Sequence, residues 1–158
     1  MRTSTSERIR RGAGERLAAA GTKRVDRDDG AILARVAALS RGARLRLAER
    51  DQLLYLVVRR YRDGSRDFWG PVVLEVLAAP LMARLTRFSS SFPAIDEEDI
   101  SQQFLMEALA CAATIPLSDH RYLERRLLLR ASDRVSRYLQ REARLAALVT
   151  TDPDAFRQ

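Results

Sequence analysis

Six arginines decide most of what this chain can become. Arg126, Arg130, Arg134, Arg137, Arg141 and Arg144 are separated by four, four, three, four and three residues, a register that helical pitch gathers into an arc of about 80°. Beside that arc run Leu127, Ala131, Val135, Tyr138 and Leu139, an apolar strip of the kind that faces a core. A strand would scatter both sets over two faces. One long helix, residues 119–147, is therefore predicted. Asp133 is the one acid bordering the stripe, so the guanidinium groups repel one another along the helix until something anionic approaches. The stripe reads either as a phosphate-binding surface or as a solvated basic face.

The same periodicity organises the rest. Ile32, Leu33, Val36 and Leu39 mark a first helix that Gly42 interrupts, and Leu45, Leu53, Leu54, Leu56, Val57 and Tyr61 mark a second that ends at Asp63-Gly64-Ser65. The stretch DFWGPVVLEVLAAPLMARLTRF reads as a third helix. Pro71 suits its first turn, whereas Pro80 removes a backbone donor in its interior and predicts a break or kink just before it. With no alternating segment to pair as strands, the expected fold is all-α, a compact bundle of about five helices over residues 30–148. A flexible basic tail at residues 1–29 precedes it, and a short tail at residues 149–158 follows.

The fourth helix, IDEEDISQQFLMEAL, is the most informative locally. Asp96 is placed to cap it, and Glu97, Glu98 and Asp99 complement its dipole. At helical pitch Ile100, Phe104, Ala108 and Cys111, widened by Leu105, Leu109 and Ala112, form a core side. The opposite side holds Asp99, Gln102, Gln103, Met106 and Ala110 and contains no lysine or arginine. Solvated faces are usually rich in long charged side chains. Amides, a carboxylate and a flexible thioether close together suit a docking surface instead.

Composition narrows the function classes. The formal charge is +7, and of 28 basic residues only Lys23 is a lysine; the planar guanidinium pairs bidentately with phosphate, so an acidic partner such as nucleic acid is indicated. The same preference also arises from codon composition. A single cysteine cannot form an internal disulfide, and no charged-then-apolar signal opens the chain, which points to a cytoplasmic protein. Glu75, Pro80 and Arg84 interrupt the longest apolar run, so no membrane span is expected. His120 is the only histidine and has no metal-ligand partner at suitable spacing, and Cys111 lies on a core arc. Neither an enzyme, a metal site nor a cofactor is expected.

Taken together, DGSRDFWGPVVLEV, PLMARLTRF, DEEDISQQFLMEAL and YLERRLLLRASDRVSRYLQRE resemble region 2 of bacterial sigma-70-type transcription factors, over about residues 50–142. Asp99 to Leu109 follows the family's D-[LI]-x-Q-E-x-F-L-x-A-[WL] helix nearly position by position. Asp63-Gly64-Ser65-Arg66-Asp67 also fits a family turn motif. The resemblance implies docking on the clamp of the largest β-type subunit of core RNA polymerase, with Asp99, Gln102 and Gln103 as contacts and Met106 on the same face. It also implies that the Arg126, Arg130, Arg134, Arg137, Arg141 and Arg144 helix meets minus-ten promoter DNA. Here the family's tryptophan is replaced by Arg126 and its asparagine by Asp133, and the 158 residues contain no C-terminal region 4. The alternative expectation is a sigma-derived adaptor, or half of a two-chain sigma. That protein binds polymerase, a second chain or an anti-sigma-like regulator without reading DNA itself.

Overall fold

The computed structural model describes residues 27–151, which form five α-helices and no strand. They are α1 (Arg27–Ser40), α2 (Leu47–Asp63), α3 (Arg66–Ser91), α4 (Glu97–Thr114) and α5 (Leu123–Thr151). The expected all-α bundle is observed. Most of the residues assigned to the basic tail and to the C-terminal tail lie outside the described residues. The boundary at residue 30 falls inside α1, where Asp29 Oδ1 meets Arg60 Nε of α2 at 2.7 Å.

Helix α3 is the centre of the bundle and touches all four others. Its apolar composition follows from that position. Trp69, Val72, Val73, Val76, Leu77, Leu81 and Leu85 are all buried, because a helix with neighbours on several sides has little face left for polar residues. Among the described helices it is the one long and apolar enough to cross a membrane by length and composition, and its buried side chains are part of the common core. Ser65 caps its start by accepting from the Phe68 amide.

Pro80 does not break α3, which remains helical from Arg66 to Ser91. Packing against the other helices supplies what the lost backbone donor removes. Pro80→Ala restores that donor and is expected to raise stability by about 2 kcal/mol, the roughly 3 kcal/mol helix preference of alanine less the freedom it returns to the unfolded chain, read as a higher urea midpoint. A lower midpoint would show that the ring itself is needed by the packing.

The rest of the core joins α2, α4 and α5 to this axis. Leu53, Leu54, Val57 and Val58 of α2, Ile100, Phe104, Ala108 and Cys111 of α4, and Leu123, Leu127, Ala131, Val135 and Leu139 of α5 are all buried. Phe88 and Phe104 meet edge to face at 4.9 Å and lock α3 to α4. Arg62 of α2 donates Nε to the Ala112 carbonyl at 2.8 Å and also reaches the Ile115 carbonyl. It thereby satisfies acceptors that the end of α4 leaves open.

Helix α5 begins four residues later than its periodicity suggests. Asp119 accepts from the Arg121 amide at 2.8 Å and closes a local turn, and Tyr122 then takes a left-handed φ of 55°, a conformation that a helix cannot include. The first turn of α5 is capped from outside its own sequence. Asp51 of α2, only 3 % exposed, accepts from the amides of Tyr122 at 2.8 Å and Glu124 at 2.9 Å. Beside it, Arg50 pairs with Glu124 at 2.8 Å. Burial pushes the Glu124 carboxyl upward, with Arg50 opposing the rise.

Candidate docking and nucleic-acid interface

Two surfaces singled out by the sequence lie on adjacent helices, because α4 and α5 pack side by side. Helix α4 starts firmly: the Asp96 side chain accepts from the Glu98 amide at 2.8 Å, and Glu97, Glu98 and Asp99 occupy its first turn. Its apolar face is spent on the core, with Phe104 and Ala108 buried. That leaves Asp99, Gln102 and Met106 turned outward, Met106 to 65 % exposure. A thioether this exposed gains nothing for folding.

Gln103 behaves differently from its neighbours. It is half-buried, and its Nε2 donates to Glu107 Oε1, one turn on, at 3.0 Å. The second oxygen of Glu107 accepts from Arg134 Nη1 of α5 at 3.3 Å. Of the four expected docking residues, three therefore share an open edge, and Gln103 turns toward the seam between α4 and α5.

The arginine stripe is divided in the same way. Arg126 folds back onto the loop before α5, donating to the Pro116 carbonyl at 3.4 Å and to the Asp119 carbonyl. Arg134 is held by Glu107. Both are therefore partnered within the protein, contrary to the expectation of six largely unpaired groups. Arg130, Arg137, Arg141 and Arg144 remain exposed, and the Arg141 guanidinium lies 5.8 Å from the centre of the Tyr138 ring. Four of the six are thus free to meet an anion.

Between the two surfaces lies a groove of about 340 Å³ lined by Gln103, Glu107, Arg134, Arg137, Tyr138 and Arg141. Glu107 and Tyr138 were not expected to be site residues. The signal for Glu107 is its place four residues after Gln103 on one helical edge. Tyr138 belongs by pitch to the apolar strip, and it does pack against the core, yet it also forms part of this wall.

The residues with candidate chemistry elsewhere are occupied structurally. Cys111 is buried, and burial pushes its thiol upward, which disfavours the nucleophilic thiolate. His120 is exposed with its ring 5.9 Å from that of Tyr55. Among the described residues no group of three or more His, Cys, Asp or Glu side chains is placed to hold a metal ion. No family model matches the chain, and no curated protein or solved structure matches it either.

Proposed function

We propose that this protein is a sigma-like transcription-initiation factor. The outward edge of α4 docks on the clamp of core RNA polymerase, and the exposed arginines of α5 contact minus-ten promoter DNA. The observation that carries the reading is the pairing of Asp99, Gln102 and Met106 on one open edge, with no hydrogen bond or ion pair to the rest of the described chain, while the other side of the same helix is fully used by the core. Asp99 and Gln102 are two of the three positions that the resemblance to the family's polymerase-binding helix marks as contacts, and Met106 shares their face. Arg130, Arg137, Arg141 and Arg144 supply the complementary cationic surface on the neighbouring helix.

The partnering of Arg126 and Arg134 favours a second reading, in which the chain is an adaptor or one half of a two-chain sigma and leaves DNA reading to another subunit. The two readings separate in one experiment. Core polymerase is captured on the immobilised full-length protein, and promoter DNA carrying a photocrosslinker across the minus-ten element is added. Capture of polymerase is expected, and its failure would overturn both readings. Replacing Arg130, Arg137, Arg141 and Arg144 with glutamine is expected to abolish the crosslink to this chain under the first reading. An undiminished crosslink selects against it. If all four contact single-stranded DNA, the slope of log affinity against log salt is expected near −3, roughly −0.7 for each contact.

A further inference from the structure

We propose that the groove between α4 and α5 is a binding site for a phosphate monoester, such as a free mononucleotide. It is a site in its own right and not merely part of a general polyanion surface. Three guanidinium groups and one carboxylate line it, Arg134, Arg137 and Arg141 against Glu107. Both oxygens of that carboxylate are already engaged, one by Gln103 Nε2 at 3.0 Å and the other by Arg134 Nη1 at 3.3 Å. Neither Arg137 nor Arg141 forms an ion pair or hydrogen bond with Glu107. The lining keeps an excess of two positive charges, carried by the two arginines whose donors face no acid in the groove.

The matching ligand is a dianion. A phosphate monoester carries close to two negative charges at neutral pH, whereas each internal phosphodiester of DNA carries one. Planar guanidinium groups suit its oxygens, each able to offer two parallel N–H donors. Arg141 is preorganised by its position over the Tyr138 ring, 5.8 Å from the ring centre, so less side-chain freedom is lost when an anion arrives. At about 340 Å³ the groove lies within the size range of small-molecule sites and leaves room for more than the phosphate. The inference does not rest on polymerase docking or promoter contact, because it concerns the protein alone.

The test is calorimetric titration of the full-length protein at low salt and pH 7.5 with AMP, adenosine, cyclic AMP, and a short single-stranded oligonucleotide with either a 5′-phosphate or a 5′-hydroxyl. AMP is expected to bind at least tenfold more tightly than adenosine or cyclic AMP. Arg137→Gln with Arg141→Gln is expected to weaken AMP at least tenfold with an unchanged thermal midpoint. Glu107→Gln removes the negative charge from the lining and is expected to tighten AMP several-fold, a direction that misfolding would not produce. A preference for the 5′-phosphorylated oligonucleotide over free AMP identifies a nucleic-acid terminus as the source of the monoester; the reverse identifies the free nucleotide. Equal binding of AMP and cyclic AMP, or AMP binding that survives the double replacement, overturns the proposal.

Discussion

Asp51→Ala is expected to destabilise the protein by about 3 kcal/mol, because it takes the acceptor from two backbone amides at the start of α5 at once. The carboxylate of Asp51, a residue only 3 % exposed, accepts from the amides of Tyr122 and Glu124 at 2.8 and 2.9 Å, the second of these bonds being buried. Each lost charge-assisted bond leaves an unsatisfied backbone group, and Tyr122 loses what holds it at a left-handed φ of 55°. The urea midpoint at pH 7 is the measurement. Asp51→Asn keeps one acceptor oxygen and is expected to fall between wild type and the alanine variant. A loss under about 1 kcal/mol for Asp51→Ala would show that α5 does not depend on this cap.

The largest expected functional change comes from Asp99→Ala combined with Gln102→Ala. Under the proposed docking these two side chains carry hydrogen bonds to polymerase, and their joint removal is expected to cost about 2–3 kcal/mol, or roughly 30- to 150-fold in affinity for core enzyme. Both side chains are exposed and make no hydrogen bond within the described chain, so the thermal midpoint is expected to fall by only about 1–4 °C, the share of Asp99 in the charge of the first turn of α4. That separates docking from stability. Arg137→Gln with Arg141→Gln provides the contrast: it leaves the outward edge of α4 intact and is expected to retain polymerase affinity. Unchanged affinity of the Asp99 and Gln102 double variant would remove this edge from the interface.

The helices were legible because each carries an uninterrupted 3.6-residue pattern. Ile100, Phe104, Ala108 and Cys111 of α4 and Leu127, Ala131, Val135 and Leu139 of α5 are buried as their pitch predicts. Local chemistry was legible too: Asp96 caps α4 from within its own segment. What pitch does not contain is the pairing of segments. Asp51 lies 71 residues before Tyr122, and nothing near either position announces that one caps the other. The division of the arginine stripe has the same origin. Arg134 and Arg130 are alike along α5, and they differ only because α4 brings Glu107 to Arg134. Likewise Pro80 is a helix breaker by local rules, while contacts with the other helices keep α3 continuous through it.

The exposed cations of α5 are all guanidinium groups, and this limits how the surface can be controlled. Arginine keeps its charge across the whole physiological pH range, and it is not a substrate for the acetylation that silences lysine. A face built from Arg130, Arg137, Arg141 and Arg144 therefore stays attractive to anions under conditions that would tune a lysine or histidine surface. Under the proposed anion binding, its occupancy would follow ionic strength and competing anions, so control of this surface would take the form of competition.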